Sequence, residues 1–238
     1  MMKKIEIVKP TINDLETIVA VEKAAWPDIG DGMVAEYDKF KTRIELGLMY
    51  LLYLNNTPAG IISFQQPAFT NPKILNNIHQ NYKENGLLEW TEIVKKHGLP
   101  KDWYEATNNG YINNGVNSTH NKESNCIFLI GVGIDSALKG HGLVNHMINH
   151  TIVEAKKDGT EFVLGYGRLP QMHEDHTSAT VHDAEKHLLK QKPSTNLPAD
   201  YGARFHVFNG AKAVSVIPNA MDDPESLDYG FLALYKLK

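Results

Sequence analysis

Apolar and polar positions divide this chain into a series of short elements. Residues 5–9 alternate apolar and charged positions, the period of a strand. Thr11 with Asp14 three residues on is a helix-capping signal, and Leu15, Ile18 and Val19 then share one face of a helix running towards Ala25. A second helix is expected over 34–46. Two apolar runs, 49–54 and 59–64, flank Asn55-Asn56-Thr57-Pro58, a turn by composition and so an antiparallel hairpin. Residues 127–134 are nearly continuous in apolar side chains, as in a central strand covered on both faces. A helix over 142–157 puts Val144, Met147, Ile148, Ile152 and Ala155 on one side and Asn145, His146, Asn149, Glu154 and Lys156 on the other, stopping at Gly159. Further strands are expected at 162–166, 213–217 and 229–237, with a short helix at 201–208 before Asn209-Gly210.

Two stretches interrupt this pattern. Residues 67–125 are rich in Asn, Gly, Lys and Tyr, with one helix expected around 87–96; Trp90 and Trp103 indicate that the stretch packs and is not a linker. Residues 167–198 are a second polar stretch with a helix expected at 179–190. Both read as insertions in a single domain spanning 1–238, long enough to bury a sizeable core.

Charge and cysteine content narrow the function classes. A net charge of −4, with no basic cluster beyond a few residues, argues against a nucleic-acid partner. No run approaches the ~18 apolar residues of a membrane span, and residues 1–10 lack the apolar core of a signal peptide. The expectation is a cytoplasmic protein with no membrane partner. The one cysteine, Cys126, cannot form an internal disulfide, and its place at the start of an apolar strand makes it a core residue rather than a nucleophile.

The candidate chemistry lies in residues 126–157, where the apolar strand passes through Ala137-Leu138-Lys139-Gly140-His141-Gly142-Leu143 into an amphipathic helix. Glycines there let the backbone turn tightly, and the following helix start offers unpaired N–H groups and positive dipole, a site for phosphate or pyrophosphate. A Walker loop is absent. A Rossmann fingerprint is disfavoured: Gly131 and Gly133 supply half of it, Ser136 stands at the third glycine, and no carboxylate ends the next strand.

The loop resembles the pyrophosphate loop of GNAT acyltransferases, [QR]-x-x-G-x-[GA], with Ala137 at the Gln/Arg position and Ser136 where the family tends to have Pro. Without the two insertions the element order, β-α-α-β-β-β-α-β-α-β-β, is also that of a GNAT domain. Ala203-Arg204-Phe205-His206-Val207-Phe208-Asn209-Gly210-Ala211 is similar to the family's A-x-x-F-Y-x-x-x-G segment, with His206 at the tyrosine. Trp26-Pro27, Thr119-His120-Asn121, Gly167-Arg168-Leu169-Pro170 and residues 205–226 look similar to a GNAT subgroup, some members of which are fused to nitrilase-like hydrolases; no such hydrolase is expected within these 238 residues.

The resemblance implies an α/β (α+β) GNAT fold, a mixed central sheet of about seven strands flanked by helices, and direct transfer of an acetyl group from acetyl-CoA to a small-molecule or peptide amine, without a metal. It implies cosubstrate contacts at Val132, Gly133, Ile134, Leu138, Lys139, Gly140, His141, Gly142 and Leu143, with the amides of 138–143 on the pyrophosphate and a backbone N–H near Gly133 or Ile134 polarising the thioester. His206, as an imidazolium, is the expected proton donor to the departing thiolate. Trp26, Tyr166 and Arg168 are the expected acceptor contacts, Arg168 as a cation for a carboxylate or phosphate. His120, His173, Glu174 and Asp175 are the loop residues from which a base could come. A homodimer is compatible with these features.

Two alternatives remain open at this point. One is a non-catalytic acyl-CoA-binding module, which Ala137 and His206 would suit. The other is a metal-dependent hydrolase built on His173, His176, His182 and His187, although their spacing does not place two imidazoles on one helical face.

Overall fold

The computed structural model describes residues 4–26, 35–113 and 115–238. The expected helix start at Val34, and Pro27 of the Trp26-Pro27 segment, lie outside the described residues. A seven-stranded sheet in the order β1-β2-β3-β4-β5-β7-β6 organises the molecule. Its strands are β1 (Ile5–Val8), β2 (Met49–Leu54), β3 (Thr57–Gln65), β4 (Cys126–Ile134), β5 (Phe162–Arg168), β6 (Lys212–Ile217) and β7 (Gly230–Lys236). The β4–β5 pair is parallel and the other five neighbouring pairs are antiparallel.

Helices cover both faces. α1 (Leu15–Ala25) and α2 (Tyr37–Glu45) pack Ile18, Val21, Phe40 and Ile44 against Met49, Leu51 and Ile61 of the sheet. Between β3 and β4 the chain forms α3 (Pro72–Asn85), α4 (Trp90–His97) and α5 (Trp103–Thr107), three helices where the composition suggested one. α6 (Leu143–Lys157) follows β4 and buries Leu143, Met147, Ile148 and Ala155. α7 (Met172–Asp175), α8 (Val181–Leu189) and α9 (Tyr201–Phe208) connect β5 to β6. The β2–β3 turn is tighter than its composition suggested. Asn55 and Asn56 alone make it, at φ +51° and +68°, and Thr57 and Pro58 already belong to β3. Among the described residues no helix is long and apolar enough to cross a membrane.

The sheet is open at its centre. β4 and β5 pair only from Cys126↔Phe162 to Leu129↔Gly165. On its other side β4 pairs with β3 from Phe128 to Ile134, but the register steps from Phe64↔Leu129 to Ser63↔Gly131, so Ile130 is an extra residue. Such a bulge bends its strand and increases its twist. The bend falls where β4 leaves β5, and the second half of β4 lacks a partner strand on that side.

Candidate active site

The opening between β4 and β5 leads into a cavity of about 600 Å³ that reaches from the loop after β4 to the inner faces of α1 and α2. The loop is shaped by residues 135–142. Asp135 accepts the Ala137 N–H at 2.9 Å, and the amides of Leu138 and Lys139 donate back to the carbonyls of Asp135 and Ser136. Those two amides therefore hold the turn and are not presented to a ligand, which narrows the anion contact expected over 138–143. Gly140 and Gly142 then take φ +84° and +71°, a region other residues enter only with strain. Gly142 caps α6 without a side-chain bond, and the first turn of α6 carries no acidic residue. The N–H groups at the start of α6, from Leu143 and Val144, have no acceptor within the helix.

Along β4, Asp135 N–H donates to the Ala59 carbonyl of β3. Strand alternation then turns Gly133 and Gly131 towards β3, and the N–H and C=O of Val132 and Ile134 into the opening. Ile134, rather than Gly133, presents the backbone donor. Gly133 contributes through its missing side chain: a Cβ there would lie 2.9 Å from Ala25 Cβ, 3.1 Å from Trp26 Nε1 and 3.6 Å from Glu22 Oε2. A Cβ on Gly131 would meet nothing within 4 Å.

Glu22 is the buried carboxylate of this cavity. Its Oε2 accepts the Trp26 indole N–H at 3.2 Å and its Oε1 accepts the Ala35 amide at 3.5 Å. Burial raises its pKa, opposed by the Arg43 charge and by these two bonds. Arg43, on α2, is 3% exposed; its guanidinium donates to Ser63 Oγ at 3.2 Å and to the Gly110 carbonyl at 3.0 Å, while Nε has no partner. Burial lowers its pKa to about 10, and Glu22 opposes that shift. Sequence reasoning missed both residues. Glu22 continues the stripe of Ile18 and Ala25, and Arg43 that of Phe40 and Ile44; a charged residue on a core-facing stripe was the available signal.

Of the expected site residues, His206, Trp26, Tyr166 and Arg168 all line the cavity, but three are chemically committed elsewhere. His206 Nδ1 lies 2.8 Å from the Tyr235 hydroxyl, and burial lowers its pKa to about 4. It is a neutral imidazole at pH 7, which corrects the expectation of an imidazolium donor. The Tyr166 hydroxyl donates to the Pro100 carbonyl at 2.7 Å, its ring standing edge-on to Trp90 and Phe128. Arg168 contacts Asp223 through Nε at 2.6 Å and Nη2 at 2.7 Å, and Glu225 through Nη2 at 2.8 Å. Two carboxylates neutralise it, so it is a structural clamp and not a cation awaiting a substrate anion.

The loop candidates for a base stay outside the cavity. His120 Nδ1 accepts the Gln66 amide, His173 contacts the Glu225 carbonyl, Glu174 accepts from Gln171, and Asp175 pairs with Lys190. His187 is buried on Asp200 at 3.2 Å, and His182 lies by Glu185. Among the described residues no group of three His, Cys, Asp or Glu side chains could hold a metal ion.

Known proteins give a consistent picture of the fold. No family model matches the sequence. An uncharacterized N-acetyltransferase of Bacillus subtilis (strain 168), YkwB, is 27% identical over 136 residues, 56% of this chain. The chain matches 55%, about half, of that relative's length. The loading GNATL domain of CurA from Lyngbya majuscula superposes with a TM-score of 0.68 at 19% identity, covering 98% of both chains. A GNAT-like decarboxylase, GphF, in complex with isobutyryl-CoA superposes with a TM-score of 0.64 at 17% identity, covering 99% of this chain and 100% of that one. The ribosomal-protein-S18-alanine N-acetyltransferase of Escherichia coli does so at 0.51 and 11% identity, covering 100% and 95%. With its strand order, its single run of parallel pairing and the opening that follows it, the chain has a GNAT-like fold.

Proposed function

We propose that the protein is an acyl-CoA-dependent N-acyltransferase that moves an acetyl group from acetyl-CoA to an amine. The observation that carries this reading is the continuity of one cavity. It joins a helix start suited to an anion, the unpaired edge of β4, and a buried carboxylate beside Gly133.

Each part has a task. Leu143 and Val144 at the head of α6 bind the pyrophosphate through N–H groups and helix dipole. Val132 and Ile134 pair with the pantetheine arm as an added strand would, and the Ile134 N–H polarises the thioester carbonyl. Glu22 takes the proton from the attacking nitrogen, a task suited to a carboxyl whose pKa burial has raised. The N–C bond forms as the C–S bond breaks, and the proton lost by nitrogen balances the one gained by sulfur. Neutral His206 bounds the cleft on the α9 side.

The test is a CoA-ester panel. Acetyl-CoA should raise the melting temperature, and an amine panel should then release free CoA thiol. Stabilisation without thiol release with any amine would favour a binding module, and no stabilisation by any CoA ester would reject both readings. A second reading, decarboxylation of a carboxyacyl-CoA, draws support from the buried Arg43 cation in the cavity. Release of CO2 from malonyl-CoA without an amine would mark it.

A further inference from the structure

Arg43 is a costly residue to bury without a carboxylate at ion-pair distance. Taking a guanidinium out of water is compensated only by good hydrogen bonds or a partner anion. Here a hydroxyl and a carbonyl engage two of its five N–H groups, and Nε has no partner. Among the described residues no carboxylate lies within 4 Å of it. Lys39, one turn earlier on α2, lines the same cavity and holds its ammonium 4.9 Å from the Tyr111 ring, again with no carboxylate within 4 Å among the described residues. The α2 side of the cavity is therefore cationic, and built.

The sheet locates these charges relative to Glu22. Ser63, which accepts from Arg43, pairs directly with Gly131, so its side chain shares the face of Gly131. Glu22 lies over Gly133, the next residue on that face. The strand positions beneath the two charged groups, Gly131 and Gly133, are two residues and so about 7 Å apart. Gly131, at the Arg43 end, leaves open space. That separation suits a molecule with an ammonium and a carboxylate on the same carbon, contacted once at each end.

We propose that this cell recognises an amine acceptor that also carries a carboxylate, an amino acid, with Arg43 holding the carboxylate and Glu22 facing the amine. This rests on the acyl-transfer reading and names the acceptor class for it. Lys39 adds long-range attraction for the same anion, and Gly131 leaves room for the substrate's backbone.

The experiment compares L-amino acids, their amides and the corresponding decarboxylated amines, with acetyl-CoA for turnover and with CoA for calorimetric binding. Wild-type protein should favour the free carboxylate by about 10- to 100-fold in kcat/KM or in Kd, the range for a hydrogen-bonded charge. Arg43→Gln should abolish that preference while leaving the acetyl-CoA melting shift in place. Because Arg43 also anchors Gly110, Gly131→Val provides an independent arm: its side chain enters open space and should weaken amino-acid binding about 10-fold or more with the acetyl-CoA shift retained. Equal affinity and turnover for acids and amides in wild type overturns the proposal. An Arg43-dependent preference for malonyl- or succinyl-CoA over acetyl-CoA, with no preference among amines, assigns the carboxylate to the acyl group and also overturns it. Arg43-dependent amino-acid binding without any acyl transfer would uphold the recognition site and reject the transferase reading.

Discussion

Glu22 Oε2 accepts the indole N–H of Trp26 at 3.2 Å, which holds the carboxylate of one helical turn against the side-chain-free face of Gly133. Desolvation of this carboxyl is the main cause of its raised pKa. Glu22→Gln should lower acyl transfer by about 10²- to 10⁴-fold, the usual worth of a general base, with acetyl-CoA binding retained. In wild type the acidic limb of the kcat/KM profile should lie above the ordinary carboxylate range, and in the variant that limb should be lost. Stability gives a second readout. A raised carboxyl pKa means the folded state binds a proton more tightly than the unfolded chain, so ionising Glu22 costs stability as pH rises through the unfolded and then the folded value. The melting temperature of Glu22→Gln relative to wild type should therefore rise with pH across that window and level off above it.

His206 behaves in the opposite sense. Its pKa is lowered to about 4 by burial, so the unfolded chain takes up a proton between pH 6.5 and about 4 and the folded chain does not. The stability contributed by neutral His206 is complete above pH 6.5 and is lost as pH falls towards 4, by roughly 3 kcal/mol over the window. His206→Asn removes this titration, and urea melts at pH 7.5, 5.5 and 4.5 should show its stability converging on that of wild type as pH falls. A pH–rate profile in which the histidine titrates near 6.5 as a required acid would contradict the neutral assignment.

Arg168 and Asp223 form a bidentate pair with 16% and 1% side-chain exposure. The Ser226 hydroxyl also donates to Asp223, tying the end of β5 to residues 223–226. Removing one partner leaves the other charge buried, at a cost of about 3–5 kcal/mol. Arg168→Gln should therefore appear in denaturant melts as a loss of stability on that scale. A variant with native stability and a raised acceptor KM alone would restore Arg168 to the binding site.

Gly131 and Gly133 stand two residues apart and should respond differently to alanine. At Gly133 the new methyl meets Ala25 Cβ at 2.9 Å, in a packed helix–sheet contact, and overpacking of this kind costs about 1–3 kcal/mol. At Gly131 it meets open space, so stability should hold or rise, as expected on replacing glycine within a strand. Thermal melts of the two variants, side by side, test the assignment of the two faces.

Much of the scaffold was legible in the sequence because each central element carries a strong local signal. The nearly unbroken apolar run at 126–134 specified β4, and the paired glycines before an amphipathic stretch specified the start of α6. The helices α3 and α5 were hidden by composition. Asn71 and Asp102 cap them, accepting from Ile74 and Glu105, but inside an Asn- and Lys-rich stretch these caps do not stand out. The state of the site residues was the least legible. His206 faces Phe231 and Tyr235, and Arg168 reaches Asp223, both across more than 20 positions of sequence. Whether a histidine is neutral or an arginine neutralised depends on neighbours that only the assembled sheet supplies.

Ile130 is the extra residue in the β3–β4 register, and it sits where β4 and β5 part. The bend beside the cavity is thus a matter of residue count as well as residue type. Deleting this single position would bring β3 and β4 back into step and remove the bend that falls where β4 leaves β5. A scaffold that separates making room from choosing what fills the room lets the two change independently.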